Sequence, residues 1–238
     1  MSKRIFLLTV FFAIVFSVIL SSCSDCLEGN GKMAVRTATF TEITEINLEV
    51  SADVVLVADS SGVVKIEGES NIIEAILMEQ KGKSLRITSE PCFSANKPIT
   101  ITIPMKTVSE LQINGSGSIK TGNKLVASDL GLKINGSGDI DLDVDAGNVK
   151  SEINGSGNVS LKGVAQRHKI EINGSGNVDA VNFPTGNVAI TVNGSGDCKV
   201  LATTALAIKI RGSGSVYYAG APDISSDIKG SGSLQKLK

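Results

Sequence analysis

The chain has 238 residues, of which 25 are glycine, 4% are aromatic and none is tryptophan. Its 23 basic and 24 acidic residues nearly balance, which argues against a nucleic-acid partner, because phosphate backbones are bound through an excess of Lys and Arg. With so few aromatic side chains, any core must consist of stacked aliphatic residues.

The first 22 residues have the features of a secretory signal. Lys3 and Arg4 precede an apolar run from Ile5 to Leu20, which is short for a membrane-spanning helix of about 20 residues. The run ends in Leu20-Ser21-Ser22-Cys23, which resembles the lipobox of bacterial lipoproteins. This resemblance implies cleavage before Cys23, lipid attachment to its thiol and anchoring to the outer membrane, on either its periplasmic or its surface face. The alternatives are an ordinary signal peptide with a chance cysteine, or a retained membrane anchor.

Residues 23–39 are predicted to be a tether. Between residues 40 and 110, apolar and β-branched runs predict strands without a repeated motif. The segment Asn71 to Gln80 is predicted to be a short helix with Asn71 as its cap. We interpret residues 40–110 as irregular first coils of the repetitive structure that follows, the alternative being a separate small β domain. The predicted strands are Glu45 to Val50, Asp53 to Ala58, Val63 to Glu67, Ser84 to Thr88 and Pro98 to Ile103.

Residues 111–238 carry the motif that dominates the chain. The heptapeptide INGSGSI at residues 113–119 returns six times in closely related form, the last copy being IKGSGSL at residues 228–234. The first glycines of successive copies are 21, 19, 19, 20, 18 and 18 residues apart. A period near 20 predicts a solenoid, and it is too short for a propeller blade of about 40 residues.

Two apolar positions in each copy predict how the coils stack. Apolar and polar residues alternate around the motif, which is the period of a strand. Parallel strands of successive coils lie about 4.8 Å apart and would bring equivalent residues into inward-facing columns. Since parallel crossovers are right-handed, the sequence predicts an all-β chain in which residues 40–238 form a right-handed parallel β-helix with coils of 18–21 residues. The columns are Ile113, Ile134, Ile153, Ile172, Val192, Ile210, Ile228, and Ile119, Ile140, Val159, Val178, Cys198, Val216, Leu234.

The Asn-Gly-Ser-Gly segment between the two columns is predicted to form a corner. Glycine reaches positive φ at little steric cost, and asparagine tolerates the left-handed region better than most residues. The asparagines would also stack as an amide ladder, whereas Arg211 and Lys229 replace them in the last two copies. The predicted corner residues are Asn114, Gly115, Gly117, Asn135, Gly136, Gly138, Asn154, Gly155, Gly157, Asn173, Gly174, Gly176, Asn193, Gly194 and Gly196.

No pattern in the sequence predicts a catalytic site, a metal or a cofactor. The motif lacks the third glycine of a dinucleotide-binding loop and the aspartate spacing of calcium-binding repeats. Asp139, Asp141, Asp143 and Asp145 alternate with apolar residues, and we interpret them as a solvated outer strand face, with calcium binding as the alternative. The single histidine, His168, lies in a polar segment that we interpret as a turn.

The four cysteines receive different predictions. Cys198 occupies a position that is otherwise Ile, Val or Leu, so it is expected to be a buried free thiol. With Cys23 lipidated, Cys26 and Cys92 are left to form a disulfide in an oxidising compartment.

The repeated INGSG segments follow a lipobox and the lead-in ITITIPMKTVSELQINGSG. Together these features resemble the head GIN domain family of putative auto-transporter adhesins over roughly residues 40–225. That resemblance implies a secreted or lipidated protein of Bacteroidetes-like bacteria with a right-handed β-helix fold, and it supplies no established catalytic or binding residues. We therefore expect a non-enzymatic envelope lipoprotein that binds the membrane through its lipid and has a glycan or protein ligand. A polysaccharide-active lyase or hydrolase, and an envelope scaffold or stress-related protein-binding module, are the alternatives.

Overall fold

The computed structural model describes residues 26–237, so the leader and Cys23 lie outside the described residues. The described chain is nearly all β-strand, with one short helix, α1 (Ser70–Ala75). The strands are β1 (Leu27–Glu28), β2 (Met33–Thr39), β3 (Glu45–Leu48), β4 (Asp53–Val57), β5 (Val63–Glu69), β6 (Ile76–Lys81), β7 (Ser84–Ser89), β8 (Phe93–Ser94), β9 (Thr100–Pro104), β10 (Glu110–Gly115), β11 (Ser118–Thr121), β12 (Leu125–Gly136), β13 (Asp139–Gly155), β14 (Asn158–Gly174), β15 (Asn177–Gly194), β16 (Cys198–Gly212), β17 (Ser215–Gly220), β18 (Asp223–Gly230) and β19 (Ser233–Lys236).

The chain is a β-solenoid of about seven turns, and β10 to β19 form its regular part. Successive coils pair in parallel with equivalent motif residues side by side, as in Asn135 opposite Asn154 and Asn154 opposite Asn173. Each of the long strands β12 to β15 runs through most of one coil and ends at the first glycine of the next corner. The predicted all-β solenoid is confirmed.

The interior of the solenoid is a stack of aliphatic side chains. In the two predicted columns, every residue from Ile113 to Ile210 and from Ile119 to Val216 is at most 1% exposed. Burying one such side chain contributes about 1.5–3 kcal/mol relative to leaving it in water. The large aromatic side chain of Phe183 is enclosed among them, where the register of β15 against β16 shifts.

The irregular half of the chain joins the same sheet in an order that differs from the order of the sequence. Strand β3 pairs in parallel with β10 on one side and with β7 on the other. Strand β4 lies in the same way between β11 and β9. The coil formed by β3 and β4 therefore lies between the first regular coil, which contains β10 and β11, and a coil that contains β7 and β9. In the sequence, β7 and β9 come after β3 and β4 and before β10.

Antiparallel strands close this end of the solenoid, where β9 pairs with β5, β5 with β2, and β7 with β6. The predicted tether is wrong for residues 26–39, because β2 belongs to this cap and Cys26 is joined to Cys92. The pairing of β2 with β5 spans about 30 residues of sequence and is invisible in the local pattern.

The predicted helix over residues 71–80 is wrong in its second half. Helix α1 ends at Ala75, and the segment ILMEQK forms β6. The side chains of β6 alternate between exposed and less exposed positions, and the strand pairs with β7. Tertiary pairing therefore outweighs the helical pattern.

Candidate binding surface

The Asn-Gly-Ser-Gly corners stack into a continuous ridge, which we call the corner ridge. The first glycine has φ between 118° and 142° in all seven corners, including the last two, where Arg211 and Lys229 replace asparagine, and L-residues rarely adopt this region. The second glycine has no positive φ, but a Cβ at Gly138 would lie 2.6 Å from the carbonyl oxygen of Gly117 in the preceding coil. Positive φ therefore explains only the first glycine, and close approach of two backbones explains the second.

The motif asparagines form an amide ladder along one flank of the ridge. No described residue other than glycine has positive φ, so the predicted left-handed conformation of these asparagines is wrong and their role lies in side-chain bonding. Each Nδ2 donates to the Oδ1 of the preceding coil at 2.8–3.0 Å, from Asn193 through Asn173, Asn154 and Asn135 to Asn114.

The ladder continues into the irregular half of the chain, which the sequence did not indicate. Asn114 donates to Asn47 at 2.8 Å, and Asn47 donates to the carboxylate of Glu49. Two nitrogens of Arg86 also donate to that carboxylate, at 2.8 and 2.9 Å. Because the Arg86 side chain and the Asn47 amide bond to it, the pKa of Glu49 is lowered, and the ladder ends on a fixed negative charge.

The motif serines form a row of exposed side chains on the crest of the ridge. From the second corner onward, the backbone N–H of each serine donates to the first glycine of the preceding corner at 2.9–3.0 Å. The hydroxyls therefore repeat at the coil spacing of about 4.8 Å. The row consists of Ser116, Ser137, Ser156, Ser175, Ser195, Ser213 and Ser231.

A third polar column borders the other side of the serine row. Asn158 donates to Asp139 at 2.8 Å, Asn177 donates to Asn158 at 3.0 Å, and the backbone N–H of Asp197 donates to Asn177 at 3.0 Å. A shallow groove of about 320 Å³ runs beside this column. Among its lining residues are Asn158, Ser160, Asn177, Asp179, Asp197 and Lys199.

Charged residues beside the ladder form ion pairs with one another. Glu152 lies 3.0 Å from Lys150, and its pKa is lowered by the hydrogen bond from Asn154 and then by Lys150. Glu171 and Lys169 form a similar pair. These pairs are partly exposed and contribute little to stability, but they place opposite charges side by side along the flank.

A crevice of about 460 Å³ opens where the ridge begins, with Ser116, Asp53 and residues 93–99 around it. Behind its wall lies the buried carboxylate of Glu69. Burial alone would raise the pKa of Glu69, but backbone N–H groups that donate to the carboxylate lower this pKa overall. The carboxylate therefore stays ionised although it is buried. The donors are Gly31, Asn96 and Lys97.

The aspartates of residues 139–145 lie along β13 and do not converge on one point. Asp139 and Asp141 are exposed, while Lys124 lies 3.1 Å from Asp145 and 3.6 Å from Asp143. The pKa of Lys124 is raised, chiefly by its hydrogen bond to Asp145. Within residues 26–237, no three His, Cys, Asp or Glu side chains are grouped as metal ligands.

The interpretation of His168 as part of a polar turn is wrong. His168 lies in β14 between Val149 and Val188 of the neighbouring coils, and it is 1% exposed. Its Nε2 is 2.8 Å from the Oγ of Ser151, which is fully buried, and its ring packs edge-on against Phe183. Burial lowers the pKa of His168 to about 3. This serine–histidine pair is therefore neutral and closed off from any substrate.

The structure also places the three cysteines of the described chain. Cys198 is fully buried in its aliphatic column, and burial raises the pKa of its thiol. Cys26 and Cys92 form a disulfide with their Cα atoms 4.8 Å apart. This disulfide fixes the start of the described chain to the capped end of the solenoid.

Comparison with known proteins gives related folds of bacterial origin. The family model described as "Putative auto-transporter adhesin, head GIN domain" matches residues 40–222. A putative adhesin from Bacteroides fragilis NCTC 9343 has 25% identity and a TM-score of 0.84, with 89% of this chain and 100% of that chain covered. A putative lipid binding protein from Parabacteroides distasonis ATCC 8503 has 23% identity and a TM-score of 0.75, with 90% and 100% covered.

A putative adhesin from Parabacteroides merdae ATCC 43184 has the same fold, with 18% identity, a TM-score of 0.71, and 90% of this chain and 100% of that chain covered. No curated protein matches the sequence. Over residues 26–237, no helix has the length and apolar character needed to cross a membrane.

Proposed function

The chain belongs to the head GIN domain family of putative auto-transporter adhesins, and we propose that it is a non-enzymatic adhesin whose corner ridge binds a neutral polysaccharide. The observation that carries this proposal is the row of exposed serine hydroxyls, repeated once per coil and flanked by amide columns. A ligand that contacts one corner can make the same contact at the next.

The chemistry of the ridge favours a polymer rich in hydroxyl groups. Serine hydroxyls both donate and accept hydrogen bonds, as sugar hydroxyls do. One such bond contributes only about 0.5–1.5 kcal/mol, but linked contacts along one polymer reinforce one another. Over the five corners that contain asparagine the ridge crest is uncharged, and Asp139 and Asp197 beside it would repel an acidic polymer, so a neutral polysaccharide fits best.

The placement of the ionisable groups supports binding without turnover. General acid–base catalysis needs two groups that converge on one bond of the substrate. The buried Ser151–His168 pair has no access to a substrate, and Asp143 and Asp145 share Lys124 on an open strand face.

We expect the double substitution Ser156→Ala and Ser175→Ala to weaken retention of the chain on a neutral polysaccharide about tenfold, since two hydrogen-bonding groups are lost. Affinity electrophoresis through gels containing neutral or acidic polysaccharides measures this effect. Retention should be greater in the neutral gel.

The matched control removes two exposed hydroxyls away from the ridge, with Ser60→Ala and Ser128→Ala. This variant should migrate like the parent. Equal weakening in both variants, or stronger retention on acidic polysaccharide, would contradict binding by the corner ridge.

We also propose that a lipid on Cys23 anchors the protein to the outer membrane. The lipobox-like segment before Cys23 supports this, and the disulfide at Cys26 would hold the solenoid within three residues of the anchor. The capped end would then face the membrane and the last coil would point away from it.

Cys23→Ser is expected to abolish lipid attachment and leave an unprocessed or soluble product. Partitioning into detergent and intact mass measure the change, with Cys198→Ser as the control that keeps the anchor. A Cys23→Ser product that partitions into detergent like the parent, and whose mass differs from the parent's only by the exchange of sulfur for oxygen, would refute the anchor while leaving polysaccharide binding untouched.

A further inference from the structure

The two ends of the solenoid differ. The end near the disulfide is covered by β2, β5, β6 and α1. At the other end, β18 pairs with β16 along one edge, and within the described residues no strand pairs with its second edge. Every residue of β18 is exposed, including Ile224 at 42% and Ile228 at 36%.

The side chains of β18 that point inward continue the core columns. Ile224 lies over Leu206, Ser226 over Ile208 and Ile228 over Ile210, and these three partners are at most 2% exposed. The last coil thus presents two isoleucines and an unpaired strand edge at one surface, a combination that favours pairing with another strand.

The order of residues in β18 is self-complementary. If two copies of DISSDIK pair antiparallel about a two-fold axis at Ser226, Asp223 lies opposite Lys229 and Ile224 opposite Ile228. Neither Asp223 nor Lys229 forms an ion pair within the described residues, so both charges are available. A two-fold interface of this kind repeats each contact.

The charges also disfavour the neighbouring two-fold registers. An axis at Ser225 would set Asp223 opposite Asp227, and an axis at Asp227 would set that residue opposite itself. Like charges directly opposite each other are destabilising. Asp227 is moreover held by Arg211 at 2.8 Å in its own chain.

We propose that β18 is the docking site for a second copy of this chain, which adds its own β18 antiparallel and joins the two solenoids end to end. Together with the proposed anchor, this arrangement would put the two lipids at opposite ends of the dimer. It would suit adhesion between two cells that both display the protein, and this cellular consequence rests on the proposed anchor.

Disulfide crosslinking of the full-length chain in detergent tests the interface. Ser226→Cys places two thiols opposite each other on the axis, where Cα atoms of antiparallel strands are about 4.5–5.5 Å apart and a disulfide can form. Under mild oxidation it should give a dimer on a non-reducing gel. Ser225→Cys, one residue from the axis and facing outward, should crosslink at least about tenfold more slowly.

Charge exchange in the Ser226→Cys background tests the register. Asp223→Lys alone and Lys229→Asp alone should each slow dimer formation by up to about tenfold, because two opposite-charge pairs become like-charge pairs. Combining the two changes should restore the parental rate, a recovery that a folding defect would not give.

Equal crosslinking of Ser225→Cys and Ser226→Cys, or no recovery in the combined variant, would overturn the proposed interface. A mixed disulfide between Ser226→Cys and Thr37→Cys on the β2 edge would indicate head-to-tail assembly and would overturn the two-fold arrangement. Neither result would bear on the corner ridge or on polysaccharide binding.

Discussion

Valine at Gly136 is expected to lower the free energy of unfolding by more than about 3 kcal/mol, a large part of the 5–15 kcal/mol that holds a typical domain folded. Gly136 has φ of 136°, and a Cβ there would lie 2.5 Å from the carbonyl oxygen of Gly115. The substitution combines backbone strain of about 1–3 kcal/mol with a clash of similar size against the preceding coil. Urea denaturation followed by circular dichroism measures the loss.

Three other glycines separate these two causes. Gly115 has φ of 132° but nothing within 4 Å of its Cβ position, so Gly115→Val should show the strain alone. Gly138 has the clash without positive φ, so Gly138→Val should show the clash alone. Gly131 has neither constraint, and Gly131→Val should change stability least. Equal losses at Gly131 and Gly136 would refute this explanation of the corner.

The buried His168 is expected to make the protein lose about 3 kcal/mol of stability as the pH falls from 6.5 to 4. The folded-state pKa is lowered to about 3 by burial, whereas an unfolded histidine titrates near 6.5. Between these two values the unfolded chain takes up a proton that the folded chain does not. The loss of stability caused by His168 is therefore nearly absent above pH 6.5, and it increases as the pH falls to about 3.

The double variant Ser151→Ala and His168→Leu isolates this effect from the titration of carboxylates. Leucine already occupies the equivalent position at Leu130 and Leu206 in other coils, so the site accepts its size. Unfolding curves at pH 7 and pH 4 should show a smaller loss of stability on acidification in the variant than in the parent. Parallel losses would mean that His168 is protonated in the folded protein.

The repeated part of the fold could be predicted because every coil has the same pattern of apolar residues and glycines. Residues such as Ile134 and Ile153 occupy equivalent positions, and the glycine alignment gives their register directly. The coil of β3 and β4 has no motif, and its place between a later coil and the regular body depends on pairing between distant segments. Such long-range order cannot be derived from local periodicity.

The burial of His168 could have been predicted from an alignment of the coils, although the residues beside it in the sequence do not indicate it. Its neighbours in sequence are polar, which indicates a turn, but it stands six residues before Gly174, as Val149 stands before Gly155 and Val188 before Gly194. Alignment on the glycines therefore places it in an inner column. The hydroxyl of Ser151 in the preceding coil lies 2.8 Å from the Nε2 of His168, and this hydrogen bond makes a polar residue tolerable there.

Binding by the corner ridge is tested most directly by heteronuclear NMR of the ¹⁵N-labelled chain during titration with a retained neutral polysaccharide. We predict that amide shifts concentrate in the stacked corners, at residues 114–118, 135–139, 154–158 and 173–177, while the polymer keeps its length. Shifts centred on Asp141 and Asp143 with shortening of the polymer would contradict a binding ridge and indicate an enzyme.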